Sequence, residues 1–349
     1  MNSIFSNTNI STELMDRLRA MPKVELHVHL EGATSAATVW ELAQRNHISL
    51  PEKSPEAWQA SYSFRDFNHF IEIYQLAAEC MRTPEDFAYM VQRFLERQAE
   101  HHVKYCEVFL SASLMLDKFP QTEVITVLKE ELEKGEEYYG VRARFIPDIT
   151  RHTPETRFQV LDFVLAGRDQ GIFIGLGLGG KEVGFPPELF KDVFEEARRH
   201  GLHVVAHAGE NGGPQSIWGA IRSLRAERIG HGVRAVEDLQ LVRHLAQIHI
   251  PLEICPYSNY RLKVVPLDQP HPIRALMDQG VYVTVNSDDP PMFSTDLSSE
   301  YLLLARQGFG WDELWQLNLN ALEASFLTDE EKTAYRIQWQ AFASQQTML

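Results

Sequence analysis

The sequence predicts an α/β protein, a single-domain (β/α)8 barrel with additional helices at the termini and after strand 1. Short apolar runs recur along the chain, and most are followed by a longer amphipathic segment. Eight strands that alternate with helices over about 260 residues are typical of such a barrel. The predicted strands are residues 24–30, 103–110, 141–147, 172–178, 203–207, 228–231, 250–254 and 281–286.

An open, doubly wound sheet is the alternative fold for alternating strands and helices. It requires a point where the strand order reverses, and usually a glycine fingerprint after an early strand. The glycine-rich run 175–180 lies only at the fourth predicted strand. The number of strands favours the barrel. Because no linker or internal repeat divides the chain, residues 1–349 are expected to form one domain.

The helices are predicted from capping residues and from helical periodicity. Residues 11–20 form a short helix with a Ser/Thr cap, and residues 38–45 follow the first strand. The segment 61–95 contains two helical stretches, and Thr83-Pro84-Glu85 marks the start of the second. The helices between later strands are predicted at 121–138, 153–170, 187–200, 214–225, 236–247 and 271–279.

Composition restricts the class of partner. The net charge of −15 disfavours a nucleic-acid-binding protein, because contact with phosphates needs a basic surface. The three cysteines, Cys80, Cys106 and Cys255, lie far apart, as expected for a reducing compartment. Residues 1–20 do not resemble a signal peptide, and no apolar run approaches the roughly 20 residues that span a bilayer. The sequence therefore predicts a cytoplasmic protein without nucleic-acid or membrane partners.

Polar residues follow several of the predicted strands. His27 and His29 are two apart on the first strand, so both imidazoles project from one side and suit a divalent metal such as zinc. His207 ends the fifth strand, His231 the sixth, and Asp288 follows the eighth. The carboxyl ends of barrel strands form one rim, which is the usual place for an active site. These residues are therefore expected to meet in space.

The residue types indicate metal-assisted hydrolysis. Three neutral imidazoles and a carboxylate can hold zinc and leave one coordination position for water, which zinc activates. Glu210, three residues after His207, is placed to protonate the leaving side of a substrate without being a ligand. His231 is a second candidate for handling the proton of the water. This chemistry does not name a substrate.

Four stretches together resemble the successive signatures of the adenosine deaminase family, which belongs to the amidohydrolase superfamily. They are VELHVHLEG (24–32), HAGE (207–210), IGHG (229–232) and VNSDDP (285–290), and the resemblance extends from about residue 21 to 330. It implies a barrel with one Zn2+ per chain that removes the 6-amino group of a purine as ammonia, with a purine nucleoside and water as partners. The implied metal ligands are His27, His29, His207 and Asp288.

The resemblance also implies roles for four other residues. Glu210 would protonate purine N1 during the attack at C6, and His231 would orient the attacking water and help to deprotonate it. Asp289 would hydrogen-bond N7, and the backbone of Gly180 would meet N3. Zinc deaminases with a His-x-Glu and Pro-Cys-x-x-Cys arrangement are unrelated, and this chain has no such cysteine pair.

The substrate is left open between several branches of the family. Glu31 stands where adenosine deaminases have an aspartate that faces the ribose. Residues 175–187 resemble branches that act on aminodeoxyfutalosine or adenine, whereas residues 286–293 resemble the aminodeoxyfutalosine and adenosine branches. We expect adenosine, converted to inosine, as the first substrate. The alternatives are an aminodeoxyfutalosine deaminase of menaquinone synthesis, an adenine deaminase, a deaminase of an N6-substituted adenine nucleotide, and a catalytically silent purine-binding protein.

Two further features are candidates for contacts with the far end of a substrate. Arg261 and Lys263 follow the seventh strand, and we hypothesise that Arg261 contacts the distal part of the substrate. Four aromatic residues recur at helical spacing and form either a core stripe or an apolar lid over the substrate: Phe64, Phe67, Phe70 and Tyr74.

Overall fold

Eight parallel strands follow one another around one sheet in chain order, each hydrogen-bonded to the next. The computed structural model describes residues 10–345. This arrangement confirms the predicted (β/α)8 barrel. The strands are β1 Lys23–His29, β2 Val103–Leu110, β3 Arg142–Thr150, β4 Gly175–Gly179, β5 His203–Ala208, β6 Arg228–His231, β7 Leu252–Ile254 and β8 Val283–Val285.

Helices surround the barrel and extend it at both ends of the described chain. The helix predicted at 11–20 is present, with the Ser11 side chain as its cap. Among residues 10–345, no helix is both long and apolar enough to cross a membrane. The α-helices are α1 Thr12–Ala20, α2 Ala36–Arg45, α3 Pro55–Ala60, α4 Phe67–Glu79, α5 Pro84–Glu100, α6 Gln121–Tyr139, α7 Arg157–Asp169, α8 Lys191–Arg199, α9 Pro214–Gly219, α10 Leu239–Ile248, α11 Pro256–Arg261, α12 Ile273–Asp278, α13 Pro290–Phe293, α14 Leu297–Arg306, α15 Trp311–Ala324 and α16 Asp329–Gln345.

Side-chain caps fix where the two helices after β1 begin. The Thr83 side chain accepts from the N–H of Asp86, whose carboxylate accepts in return, so α5 starts at the predicted signal. The Asp66 side chain accepts from the N–H of His69 and starts α4 at Phe67. Phe64 therefore precedes the helix, in contrast to the prediction that placed all four aromatic residues on it.

Apolar residues occupy every second position from Val24 to Leu30, which predicts a regular strand, but a bulge interrupts β1. Between the pairs Glu25–Cys106 and Val28–Val108, β1 contains one residue more than β2. Val24 and Leu26 consequently pack with Tyr105 and the end of α15, whereas Val28 and Leu30 belong to the main core. A bulge of this kind redirects the side chains that follow it.

Strand β3 extends three residues beyond its predicted end at Pro147, to Thr150. The reason is pairing with β4, because Asp148, Ile149 and Thr150 lie opposite Gly177, Leu178 and Gly179. The extension moves the start of the following loop and places Asp148 within the strand, near the rim of the barrel.

Candidate active site

Four predicted residues meet at the carboxyl end of the barrel: His27 and His29 on β1, His207 on β5 and Asp288 after β8. All four are buried, and their candidate ligand atoms lie within 4.8 Å of one another. The Nε2 atoms of His29 and His207 are 3.0 Å apart. Asp288 Oδ1 lies 3.5 Å from Nε2 of both His27 and His29. We refer to these four residues as the metal group.

Hydrogen bonds at the far side of two imidazole rings orient them toward this group. Nδ1 of His27 donates to Glu253 Oε2 at 2.8 Å, and Nδ1 of His207 donates to the Leu178 carbonyl at 3.0 Å. Nε2 of His27 is buried and has no hydrogen-bond partner among the described residues. Rings held in this way present an Nε2 lone pair to a cation. The donor set therefore fits zinc.

Electrostatics favours the ligand forms of His29, His207 and Asp288. His27 differs, because burial lowers its pKa but contacts with the Asp288 and Glu253 carboxylates outweigh burial and raise the pKa to about 9, so metal binding there must displace a proton. Burial lowers the pKa of His29 to about 3 and holds the pKa of His207 well below its usual range, so both rings are neutral near pH 7. Burial raises the pKa of Asp288, but the neighbouring His231 and His27 outweigh that effect and lower it below its usual range. Neutral imidazoles and an ionised carboxylate are the forms that bind metal.

A buried ion network lies below the metal group. Arg228 donates through Nε to Glu253 Oε1 at 2.6 Å and through Nη2 to Glu107 Oε2 at 2.5 Å. The guanidinium of Arg228 also stacks on Phe326, with Cζ 3.8 Å from the ring centre. These contacts hold Glu253 in position to orient His27. Glu253 is the one acidic residue in the apolar strand β7. This position is the sequence signal that could have indicated its role.

Glu210 is buried beside the metal group, and its Oε2 lies 3.8 Å from His231 Nε2. Burial, together with the charges of Asp288 and Glu182, raises the pKa of Glu210 well above its ordinary value. The raised pKa favours the protonated carboxyl. A protonated carboxyl in a closed site can act as a general acid.

Glu182, which the sequence reasoning did not assign, fixes the backbone around Glu210. Its Oε2 accepts from the N–H of Gly209 at 2.8 Å, and its Oε1 accepts from the N–H groups of Glu210 at 2.8 Å and Gly212 at 3.0 Å. Gly209 has φ +74°, and a Cβ there would lie 2.4 Å from Ile217 Cδ1. The glycine and the carboxylate together determine where the Glu210 side chain begins.

His231 and Asp289 also line the pocket above the metal group. Burial lowers the pKa of His231 to about 4, so its ring is neutral, and its Nε2 lies 3.9 Å from Asp288 Oδ2. Burial and the charge of Asp288 raise the pKa of Asp289 well above its usual range. Asp289 Oδ1 has no partner among the described residues and would lie 1.5 Å from a Cβ at Gly32. Glycine at position 32 is therefore required to make room for this carboxyl.

The pocket is covered by one face of α4. Phe67, Phe70 and Tyr74 line it, in agreement with the apolar-lid alternative. Phe64 does not line it and packs instead against Phe293, with ring centres 5.8 Å apart. Gly180, with φ +82°, lines the opposite wall.

The structure does not bring two predicted substrate contacts to this pocket. Glu31 is buried behind its wall, where Oε2 accepts from the Tyr74 hydroxyl at 3.0 Å and Oε1 from the Ser111 N–H at 2.8 Å. Arg261 donates through Nε to the Phe293 carbonyl at 3.1 Å and lines a separate pocket with Lys263. Both side chains are held by hydrogen bonds with residues that are distant in sequence, so the spacing of residues does not indicate them.

Several pocket residues were absent from the sequence prediction, among them Asp148, Gln75 and His152. Asp148 is buried in the wall, and Gln75 Nε2 lies 2.8 Å from His152 Nε2 at the side formed by α4 and the loop after β3. Asp148 directly follows the predicted end of an apolar strand. The rule that identified His207 and Asp288 would therefore also have identified Asp148.

Comparison with known proteins places these features in a family. Residues 22–338 match the family described as Adenosine deaminase. A curated relative named adenine deaminase, from Acinetobacter baylyi, is 38% identical over 318 residues, which cover 90% of this chain and 95% of the relative.

Two solved structures are similar along nearly the whole chain. An adenine deaminase from Arthrobacter aurescens is 32% identical with a TM-score of 0.88, covering 93% of this chain and 100% of that one. An amidohydrolase from Burkholderia ambifaria with bound Zn is 27% identical with a TM-score of 0.89, covering 96% of this chain and 94% of that one.

Proposed function

The chain belongs to the adenosine deaminase family, and from this membership we propose that it is a metal-dependent hydrolase that converts adenine to hypoxanthine and ammonia. The relatives that support the choice of adenine are named adenine deaminase and are 38% and 32% identical. These relatives do not support adenosine, the substrate we expected first, and they favour the free-base alternative.

The observation that carries the proposed reaction is the position of Glu210 beside the metal group. Four buried ligands within 4.8 Å of one another fit one zinc ion per chain, in line with the bound Zn of the Burkholderia relative. When bound there, zinc supplies the Lewis acidity that activates water for attack on an aromatic C–N bond. The remaining chemistry belongs to the side chains of the pocket.

Each pocket side chain has a defined task in this reaction. Glu210 donates its proton to purine N1, which makes C6 electrophilic. His231, a neutral base, accepts the proton that water loses as the C6–O bond forms. Asp289, protonated because of its raised pKa, donates a hydrogen bond to N7, and the Gly180 N–H donates to N3. His231 then passes the proton from water to N6, the C6–N6 bond breaks and ammonia leaves, while the C6 hydroxyl becomes a carbonyl and returns a proton to Glu210.

The pocket wall supports a free base rather than a nucleoside. Hydrogen bonds from Tyr74 and Ser111 hold both carboxylate oxygens of Glu31 behind the pocket wall, where they do not face a sugar in the pocket. Arg261, which would have paired with a larger substrate, lies in another pocket. The described pocket therefore offers polar partners to the purine ring itself.

Ammonia release from adenine, adenosine, 2′-deoxyadenosine and aminodeoxyfutalosine, measured in parallel on zinc-loaded protein, tests the proposal. We expect turnover of adenine with little or no turnover of the three nucleosides. Faster release from a nucleoside than from adenine would overturn the choice of substrate but leave the aminohydrolase chemistry intact. Release from none of them would favour the silent purine-binding alternative.

A further inference from the structure

Asp148 lines the pocket and has a buried oxygen that no described residue satisfies. The residue is only 2% exposed, and the unsatisfied atom is Oδ1. A buried polar atom without a partner is costly in a folded protein unless a ligand or water satisfies it. None of the tasks proposed above uses this atom.

The neighbours of Asp148 leave its Oδ1 as a free acceptor. The side chain of Asp148 hydrogen-bonds Ser111, whose hydroxyl lies 3.0 Å from the Tyr74 hydroxyl. Tyr74 in turn donates to Glu31, so Ser111, Tyr74 and Glu31 are already engaged with one another. Gly177 and Gly179 provide the space for Asp148, because a Cβ at either would lie within 2.8 Å of its side chain.

The order of strands around the rim determines which purine edge faces Asp148. The metal group, Glu210 and Asp289 come from the ends of β1, β5 and β8. On the opposite side, β2, β3 and β4 contribute Ser111, Asp148 and Gly180 to the pocket. A purine with C6 at the metal group therefore directs its distal edge toward β2, β3 and β4.

The atoms around the purine ring and the strands around the barrel rim follow each other in a matching order. This step rests on the proposed function, in which N1 meets Glu210 after β5 and N7 meets Asp289 after β8. Around the purine, N1 is followed by C2, N3, C4, N9, C8 and N7. Around the rim, β5 is followed by β4, β3, β2 and β1. N3 accordingly faces Gly180 at the end of β4, and N9 faces Asp148 on β3.

We propose that Asp148 Oδ1 accepts a hydrogen bond from N9–H of a free purine base, and that this contact makes Asp148 the residue that selects bases over N9-substituted purines. A nucleoside has carbon in place of this hydrogen. It would leave the Asp148 oxygen unpaired and direct its sugar against the β3 wall. A site built to pair with a substrate N–H strongly rejects an analogue that lacks it.

The electrostatics of the wall agrees with this role. Burial and the charge of Glu31 raise the pKa of Asp148 well above its usual range, which favours the neutral carboxyl. A neutral carboxyl accepts a hydrogen bond through its carbonyl oxygen without requiring a buried negative charge in the pocket.

The test compares adenine with 9-methyladenine, in which a single methyl group replaces the N9 hydrogen. We expect wild-type protein to prefer adenine in kcat/KM by at least about 100-fold. Asp148→Ala should lower kcat/KM for adenine by about 10- to 100-fold and remove most of this preference. Asp148→Asn, whose amide oxygen still accepts from N9–H, should retain most of it. Thr150→Val, which removes a different polar group from the same wall with little change in the volume of the side chain, should leave the preference unchanged.

Two outcomes would overturn the proposal while the proposed function stands. One is equal use of adenine and 9-methyladenine by the wild type, which requires no variant to fold. The other is a zinc-containing Asp148→Ala protein that keeps the wild-type preference. Calorimetric binding of hypoxanthine and 9-methylhypoxanthine tests the same contact without turnover. If the protein binds hypoxanthine more tightly than 9-methylhypoxanthine but deaminates no substrate, the proposed function fails and the Asp148 assignment stands.

Discussion

The backbone N–H of Asp288 donates to the carbonyl of His27 at a distance of 3.0 Å. Next to it, the N–H of His29 donates to the carbonyl of Asp288 at 2.9 Å, and this bridge joins the last strand region to β1. Three members of the metal group thus belong to the seam that closes the barrel. Ligands fixed by backbone pairing are held on rigid elements, which favours a preorganised site.

Glu210→Gln tests the proposed general acid. The amide has the same shape but cannot donate an acidic proton to N1, so kcat for adenine should fall by about 100- to 10,000-fold. Zinc content and the unfolding midpoint should remain close to those of the wild type, because Glu210 is outside the metal group. Turnover within a few-fold of wild type by this variant would show that another group supplies the proton.

Asp288→Ala tests the ligand assignment. Loss of an outer partner alone typically weakens metal binding by about 10- to 100-fold, so loss of a ligand should exceed about 100-fold. The measurement is zinc affinity by competition with a chelator, and the exposed residue Asp278, changed to Ala, serves as the matched control. Unchanged zinc affinity in Asp288→Ala would remove this residue from the metal group.

Glu253→Gln tests the network below the site. The substitution keeps an acceptor for His27 Nδ1 but removes the negative charge that faces both His27 and Arg228. We expect zinc affinity to fall by about 10- to 100-fold, and stability to fall as well because a charge partner of buried Arg228 is lost. Zinc affinity equal to that of wild type would limit Glu253 to a structural role.

Glu182→Gln tests how the Glu210 loop is held. The amide group cannot accept from all three N–H groups, so the variant should lose about 1 to 3 kcal/mol of unfolding free energy at pH 7. Burial raises the pKa of Glu182, but Arg151, Ser216 and the loop N–H groups outweigh burial and lower it. Because the folded pKa is below the ordinary value of 4.5, the stabilisation is complete above that value and is lost as pH falls through the folded pKa.

Denaturant unfolding of both proteins from neutral to acidic pH checks this expectation. The stability difference between wild type and Glu182→Gln should shrink as the solution becomes acidic. A difference that stays constant or grows toward low pH would contradict the ionised, hydrogen-bonded state assigned to Glu182.

The fold was predictable because its signals are local and repeated. Apolar runs and capping residues such as Thr83 and Asp86 depend on neighbours in the sequence, and the number of strands followed from them. The bulge in β1 and the extension of β3 depend on pairing with another strand. The residue types in β1 are those of a regular alternating strand, so the sequence does not indicate the bulge.

The centre of the site was predictable for a similar reason. Strands that end close to His207, His231 and Asp288 bring these residues to one rim, regardless of the conformation of the loops. The substrate side was harder, since Glu31 and Arg261 are directed by contacts with Tyr74, Ser111 and Phe293 that are distant in sequence. Side-chain direction in a pocket wall is a tertiary property.

The most direct test of the proposed function is the conversion of adenine to hypoxanthine before and after controlled metal removal. We expect conversion by the zinc-loaded protein, its loss after chelation, and its return on addition of about one equivalent of zinc per chain. Adenosine should remain a poor substrate throughout. Conversion that survives complete removal of metal, or adenosine turnover equal to that of adenine, would show that the chain is not a metal-dependent adenine deaminase.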